Sequence, residues 1–211
     1  MSYSSKVMRW ILAAAAFAIA LFGWWYIQQR NPDTNWHITV YYTAVERFHH
    51  GKPEAIFGCI RQECDHDNEP LGEYPQDFVA AVEQEGTGRI TSGEHAGAYL
   101  NWSYDVGFWL DTLPADTHGQ ALKPYVSAAA DSNVLPQGTH VRIVHCGSSE
   151  VDTSVCHKLT SARFIISDEF TPGLGGAKHL DVYIGEEDRE DFEQSASYTD
   201  LKNAAIQIQK Q

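Results

Sequence analysis

The chain has 211 residues and a formal net charge of −13 at pH 7. Surfaces that bind a phosphate backbone are rich in Lys and Arg, so this charge excludes nucleic acid as a partner. The composition is 43% hydrophobic and 20% charged, which is typical of a globular protein. Once the N-terminal segment is set aside, roughly 180 residues remain, enough for one domain.

The first element is an apolar segment. Lys6 and Arg9 precede an uninterrupted apolar run, Trp10 to Ile27, which as a helix is about 27 Å long. Positive charge before the run and the aromatic residues 24–26 at its far end predict a cytoplasmic N-terminus (1–9) and a transmembrane anchor (10–27). A short polar linker, 28–35, then leads to a single folded domain, 36–211.

The same segment allows a second interpretation. Ala18-Ile19-Ala20 forms a small-x-small site of the kind that signal peptidase cuts. We favour the anchor because the apolar run continues past this site. Both interpretations export the domain, so we expect a single-pass inner-membrane protein whose folded part lies in the periplasm or outside the cell.

Four cysteines occur as two local pairs, Cys59 with Cys64 and Cys146 with Cys156. This spacing predicts two disulfides in an oxidising compartment. A zinc site is the alternative, since histidines lie beside these cysteines at positions 66, 145 and 157. Neither pair has the C-x-x-C spacing of a zinc knuckle, so we expect no metal there.

The middle of the chain mixes strands and loops. Residues 38–45 are β-branched and aromatic and predict a strand, whereas 49–73 are rich in Gly, Pro and polar residues and predict a loop. Pro75 to Glu85 has apolar residues at helical spacing before Gly86, which predicts a short helix. Turns and short strands should follow to residue 124. Their aromatic residues, within 99–104 and 108–111, suit core packing or sugar stacking.

The last third of the sequence is the most regular. We expect strands at 125–130, 139–145, 163–167, 179–184 and 204–209, with a hairpin-like insertion closed by the second cysteine pair. Residues 168–178 predict a glycine-rich loop and 186–196 a solvated helix. Many short strands with one or two helices predict a mainly β fold, a closed mixed barrel.

Three segments together resemble the 3D domain family, which is named for three aspartates. They are Ala129–Thr139 (AADSNVLPQGT), Ile166–Gly176 (ISDEFTPGLGG) and His179–Gly185 (HLDVYIG). The resemblance covers the family-like core, 125–208, and extends to Tyr41–Ala44, which is similar to the family's opening strand. It implies a double-psi β-barrel, the fold of membrane-bound lytic transglycosylase A, and activity on peptidoglycan.

The resemblance also assigns roles. It implies that Asp181 is the general acid and base, that Asp168 lines the same groove and that Asp131 supports it. Around these aspartates we predict substrate contacts from the side chains and backbone of four residues: His179, Thr43, Gly175 and Gly176. Each aspartate also has a structural interpretation: a turn for Asp131, a loop cap for Asp168 and the solvent face of a strand for Asp181.

The predicted chemistry has a clear requirement. Cleavage of a glycosidic bond needs a proton, yet an aspartate at its reference pKa near 3.9 is ionised at neutral pH. Burial and neighbouring carboxylates raise that pKa. A hydrolase usually needs a second carboxylate, whereas in a lytic transglycosylase the 6-hydroxyl of the muramic acid attacks, and one residue serves as acid and then base. No cofactor is expected.

Two alternatives remain open at this stage. Double-psi barrels also occur as wall-binding domains without catalysis, so an anchored barrel could hold glycan or dock to a protein partner. Three clustered carboxylates would also suit a hard cation with oxygen ligands. A buried Asp181 with a raised pKa would favour the enzyme, and a solvated Asp181 on a flat face would favour the binding module.

Overall fold

A computed structural model describes residues 32–62, 68–148 and 150–209 of the chain. These residues form eleven strands and two α-helices. The strands are β1 Asp33–Val45, β2 Pro53–Gly58, β3 Glu69–Pro75, β4 Thr87–Arg89, β5 Tyr99–Ser103, β6 Gly107–Asp111, β7 Ser127–Ala130, β8 His140–His145, β9 Phe164–Asp168, β10 His179–Glu186 and β11 Leu201–Gln209, and the helices are α1 Gln76–Glu85 and α2 Thr153–Ser161.

Six strands close into a barrel. Their order is β10-β7-β9-β8-β11-β1, and a further pairing between β1 and β10 completes the ring. Closure leaves these strands without a free edge. The predicted closed, mainly β barrel is therefore confirmed for the described residues.

The strand pairing of the barrel has an internal two-fold pattern. β1–β10 and β7–β9 are the two parallel pairs, and the other four pairs are antiparallel. If β1 is exchanged with β9, β7 with β10 and β8 with β11, every strand pair of the barrel and its direction are reproduced. The two halves of the barrel are thus built alike, although their loops differ.

A second group of elements extends from the barrel through β1. The C-terminal end of this long strand pairs with β4, and β4, β5 and β6 continue the sheet. Helix α1 packs against β1, β4 and β5. Gly86 ends the helix in a left-handed conformation, φ +84°, and its N–H donates to the carbonyl of Val82.

The core runs through both groups of elements. Trp36, Ile38 and Tyr42 of β1 are buried with Leu180 and Val182 of β10, and the same cluster includes apolar residues of α1. Alternating residues of a strand point to opposite faces, so Thr39 of β1 and Asp181 of β10 point to the face opposite to that of their apolar neighbours. One strand therefore contributes both to the core and to a polar surface.

Three sequence predictions for local structure were wrong. Residues 49–73 are not a loop throughout, because β2 and β3 pair in antiparallel fashion, with Ile56 and Leu71 buried between them and the core. Residues 186–196 contain the last residue of β10 and a short 3-10 turn, Phe192–Gln194, instead of an α-helix. The insertion after β8 carries α2, whose first turn is capped by the carboxylate of Asp152.

The cysteine prediction is confirmed for the second pair. Cys146 and Cys156 form a disulfide with a Cα–Cα distance of 6.0 Å, which connects β8 to α2. Cys59 is also disulfide-bonded. Cys64, the partner that the sequence predicts for it, lies outside the described residues.

The predicted anchor, Trp10 to Ile27, and the signal-peptide alternative both lie outside the described residues. Within 32–62, 68–148 and 150–209, neither helix is long and apolar enough to cross a bilayer. Strand β1 begins at Asp33, so it includes the last three residues of the predicted linker, 28–35.

Candidate active site

The candidate site is a cavity of about 380 Å³ between the barrel and the group of elements around α1. The barrel contributes residues of β1, β7, β9 and β10 and of the loop after β9. The other wall is built by the C-terminal end of α1 and by the turn between β5 and β6. Two of the predicted site residues on the barrel wall, Asp168 and Asp181, therefore face one opening.

Asp181 lies in the middle of β10, where it is paired with Thr39 of β1 and Ala129 of β7. These neighbours are small, so the carboxyl group reaches the cavity between them. Its Oδ1 atom is buried and has no hydrogen-bond partner within the described part of the chain. A buried acceptor without a partner costs about 1–3 kcal/mol, unless it carries a proton or meets a ligand.

Burial is the main reason why the pKa of Asp181 is raised to about 7. The charge of Asp168 acts in the same direction, while hydrogen bonds from Thr39 and the Val182 backbone oppose it. Half of the molecules therefore retain a proton on Asp181 near neutral pH. The side chain is partly buried in a cleft and does not lie on the open solvent face of a strand.

Asp168 has a different environment, since its oxygens are occupied. Oδ1 accepts hydrogen bonds from the backbone N–H of Thr117 at 3.0 Å and of Glu169 at 2.9 Å. Oδ2 accepts one from the hydroxyl of Tyr41 at 3.2 Å. Burial raises the pKa of Asp168, and these donors work against that shift. Asp168 thus holds the loop and Tyr41 in place beside Asp181.

Glu85 is a further acid of this site that the sequence did not reveal. It is the last residue of α1, is 6% exposed and lines the same cavity as Asp181. Burial, followed by the charge of Asp181, raises its pKa to about 8. Its position on the apolar face of α1, with Phe78 and Val82, is a sequence signal that could have identified it.

The oxygens of Glu85 are also engaged. Oε2 accepts a hydrogen bond from the backbone N–H of Tyr42 at 3.2 Å, and Oε1 accepts one from Gln84 at 3.0 Å. The N–H of Tyr42 is available because β1 shifts its register here, on passing from β10 to β4. Glu85 therefore stabilises the bend in β1 that leads from one wall of the cavity to the other.

His179 lines the cavity at its rim, two residues before Asp181. Its ring stacks between Phe170 and His37, with centroid distances of 4.5 and 4.6 Å. Nε2 lies 3.0 Å from the hydroxyl of Thr39, and Nδ1 lies 3.2 Å from the carbonyl of Leu174. Burial and the neighbouring His37 lower the pKa of His179, so the ring is neutral at pH 7.

The other predicted site residues lie outside the cavity lining. Asp131 accepts hydrogen bonds from the backbone and side chain of Asn133 and so organises its own turn. Thr43 is fully buried and hydrogen-bonded to the hydroxyl of Tyr183. Gly175 packs closely against Phe170 and Asp131, and Gly176 follows it in the same loop. Their predicted contacts with substrate stay predictions.

Aromatic side chains occupy the wall opposite Asp181. Trp102 and Tyr104, in and after β5, line the cavity, and Tyr104 is 59% exposed. In contrast, Trp109 is fully buried as core.

Among the described residues, no group of three or more His, Cys, Asp or Glu side chains has the arrangement of a metal site.

Comparison with known proteins identifies the fold. No protein-family model and no curated protein matches the chain. Among solved structures, E. coli MltA with bound chitohexaose is similar with a TM-score of 0.55 and 14% identity, over 82% of this chain and 71% of that one. A membrane-bound lytic murein transglycosylase from Agrobacterium tumefaciens has a TM-score of 0.52 and 8% identity, over 82% and 73%. The described residues therefore have the fold of the MltA-type lytic transglycosylases.

Proposed function

We propose that this chain cleaves the glycan strands of peptidoglycan as a lytic transglycosylase, with Asp181 as general acid and then base. The observation that carries the proposal is the state of Asp181. Its carboxyl group is partly buried in a cleft, has a pKa of about 7 and leaves Oδ1 unpaired among the described residues. A general acid with this pKa is protonated in a useful fraction of molecules at neutral pH.

In the proposed reaction, Asp181 donates its proton to the glycosidic oxygen while the bond from that oxygen to the anomeric carbon breaks. The leaving sugar departs with a free hydroxyl group. The 6-hydroxyl of the muramic acid then attacks the anomeric carbon and gives its proton to the Asp181 carboxylate. An anhydro ring forms, and the acid is regenerated without a water molecule.

The neighbouring carboxyl groups favour this route over hydrolysis. A hydrolase needs a second carboxylate that is free to act as nucleophile or to activate water. Asp168 is held by three donors, and Glu85 is held by the backbone of Tyr42 and by Gln84. Among the buried or partly buried acids that line the cavity, Asp181 is the one with an unpaired oxygen, whereas the lining carboxylates of Glu83, Asp105 and Glu169 are exposed.

The substrate class is supported by the shape and lining of the site. The cavity opens as a cleft, and Trp102 and Tyr104 offer aromatic surface on the wall across from Asp181. Aromatic rings of this kind pack against the apolar faces of sugars. The similar E. coli MltA structure contains bound chitohexaose, a sugar oligomer, which agrees with a glycan ligand here.

We also propose the finer classification. The internal two-fold pattern of strand pairs supports a double-psi barrel, and the three segments around Asp131, Asp168 and Asp181 support membership of the 3D domain family. Export to the periplasm, with residues 10–27 as membrane anchor, is supported by the disulfide between Cys146 and Cys156, because such bonds persist in oxidising compartments.

The test is digestion of purified peptidoglycan by the full chain in mild detergent, with mass spectrometry of the released fragments. We expect anhydro-muropeptides from the natural protein and at least a hundredfold fewer from Asp181→Asn, which keeps the shape but cannot donate the proton. Asp191→Asn removes an exposed carboxylate that does not line the cavity and should leave the release unchanged.

Two results would overturn this function. Fragments that end in a reducing sugar would indicate a hydrolase, in which water replaces the 6-hydroxyl. If neither the natural protein nor Asp181→Asn releases fragments but both sediment with peptidoglycan, the chain is a wall-binding barrel without catalysis.

A further inference from the structure

A second cavity, of about 930 Å³, lies on the outside of the barrel where α2 packs on β8. It is separate from the Asp181 cleft and shares none of its lining residues. Four of its side chains can carry positive charge: Arg142, His145, His157 and Arg163. No Asp or Glu contributes to its lining, which is notable in a chain with a net charge of −13.

Arg142 is the central group of this cavity. It lies on the outer face of β8, between the buried residues Val141 and Ile143. Its Nε–H is buried and has no hydrogen-bond partner in the described part of the chain. An unpaired buried donor costs about 1–3 kcal/mol, more when charged, so a ligand that accepts a hydrogen bond from Arg142 would remove this cost.

Arg163 likewise has no carboxylate partner in the part of the chain that the structure describes. Among the described residues neither arginine forms an ion pair, although carboxylates pair with other cations elsewhere on the molecule. Within the described ranges, Arg163 donates to the backbone carbonyls of Ser161 and Ala162, at the end of α2. Several guanidinium donors of both arginines are therefore left for a ligand.

The two histidines can complete the set of donors. Nδ1 of His145 accepts a hydrogen bond from the N–H of Gly147 at 2.9 Å, which leaves Nε2 to carry the hydrogen. His157 lies on α2 beside Cys156, and the disulfide to Cys146 fixes this helix against β8. The donors thus come from a strand, a helix and the segment before β9, which are held at fixed positions.

We propose that this cavity binds a phosphate or phosphodiester group through Arg142 and Arg163. A carboxylate presents two oxygens in one plane, whereas a phosphate presents oxygens in three dimensions and can meet donors from several elements at once. The arginines supply the charge, and the ring nitrogens of the histidines supply further N–H donors. The group comes either from a soluble phosphate or from the headgroup of an anionic lipid.

The test uses the full chain in non-ionic detergent, labelled with ¹⁵N at the arginine side chains. Titration with sodium phosphate should shift the Nε–H signal of Arg142 in a saturable way, whereas titration with sodium chloride at equal ionic strength should not. Arg142→Gln should weaken phosphate binding at least tenfold. The exposed Arg163→Gln should do the same without a risk to folding, and Arg61→Gln, which removes a charge elsewhere, should not.

Vesicles separate the two sources of phosphate. If Arg142 and Arg163 are needed for binding to phosphatidylglycerol in phosphatidylcholine vesicles, and phosphatidylcholine alone does not bind, the ligand is a lipid headgroup. If soluble phosphate binds and these vesicles do not, the ligand is a soluble phosphate. Absence of saturable binding in both experiments overturns the proposal, and so does an equal loss of binding in Arg61→Gln.

Discussion

At the scale of single residues, the burial of Asp181 disfavours the ionised form of its carboxyl group. The pKa of its carboxyl group is raised to about 7 in the folded chain and lies near 3.8 when the side chain is free. Between these two values the unfolded chain loses the proton and the folded chain keeps it, so the free energy of unfolding falls as pH rises. The group that is proposed to donate the proton therefore reduces stability at neutral pH.

Replacement of Asp181 by Asn should relieve this cost. At pH 4 the natural protein and Asp181→Asn should be similarly stable, and at pH 8 the variant should be more stable. A difference of about 3 pKa units corresponds to about 4 kcal/mol, an upper bound because the side chain is only partly buried. Urea denaturation at the two pH values measures the change.

The control for this prediction is Asp191→Asn, which should follow the natural protein at both pH values. A variant Asp181→Asn that is less stable at pH 8 would mean that the ionised carboxylate stabilises the fold, which contradicts the raised pKa.

Glu85 permits a direct test of electrostatic coupling across the cavity. Burial and then the charge of Asp181 raise its pKa to about 8, so removal of that charge should lower the pKa of Glu85. We expect the titration midpoint of the Glu85 carboxyl carbon, followed by ¹³C NMR, to fall by about one unit in Asp181→Asn. An unchanged midpoint would show that the two groups are not coupled, and Asp191→Asn provides the matched comparison.

These two acids also show how far the sequence predicts the site. Asp181 could be identified because it stands within a motif, H-x-D-x-Y-x-G, on a strand of clear pattern. Glu85 belongs to no motif, and its role depends on the register shift of β1 that frees the N–H of Tyr42. That shift is produced by long-range pairing, so the spacing of Glu85 with Phe78 and Val82 places it on the buried face of α1 but does not predict its contact with Tyr42.

At the scale of elements, His49 connects three parts of the fold. Its Nε2 lies 2.8 Å from Glu187, just after β10, and its Nδ1 lies 3.6 Å from Asp77 in the first turn of α1. Burial lowers the pKa of His49, but the hydrogen bond to Glu187 and the charges of Glu187 and Asp77 outweigh it, so the net shift is upward. The charged form of His49 therefore stabilises the folded chain.

A raised histidine pKa gives a defined dependence on pH. The stabilisation is complete below the pKa of the unfolded state, near 6.5, and is lost as pH rises through the higher pKa of the folded state. We expect His49→Gln to lower the free energy of unfolding by about 1–2 kcal/mol at pH 6 and by less at pH 9. Thermal denaturation across this range measures the difference.

The neighbouring His50→Gln is the control, because the ring of His50 is exposed and pairs with the exposed Glu190. A loss in His49→Gln that is equal at pH 6 and pH 9 would mean that His49 contributes by packing alone.

The elements differ in how well their sequences predict them. The strands of the last third were expected because β-branched residues alternate there with polar ones. The hairpin of β2 and β3 was not, because its Gly, Pro and Glu residues are typical of loops and only tertiary contacts at Ile56 and Leu71 make it a strand pair. Helix α2 is short and depends on its Asp152 cap and on the disulfide, which a pattern of apolar spacing does not detect.

At the scale of the whole molecule, β1 joins the two walls of the cleft. It pairs with β10 and β11 in the barrel and with β4 beyond it. The distance between Asp181 and the opposite wall therefore depends on how closely α1 packs against the sheet beyond the barrel. Gly88 of β4 sets this distance, because a Cβ at this position would lie 2.4 Å from Val82 and 2.6 Å from Phe78.

Gly88→Ala should force α1 away from the sheet. Val82 and Phe78 are fully buried and an added Cβ would overlap them, so we expect a loss of about 2 kcal/mol in the free energy of unfolding. Glu85 at the end of α1 should move with the helix, so glycan cleavage should slow as well. The double variant Gly88→Ala, Phe78→Leu provides space for the added methyl group and should recover part of both losses. If the two substitutions instead add their costs, the packing of α1 on β4 does not set the width of the cleft.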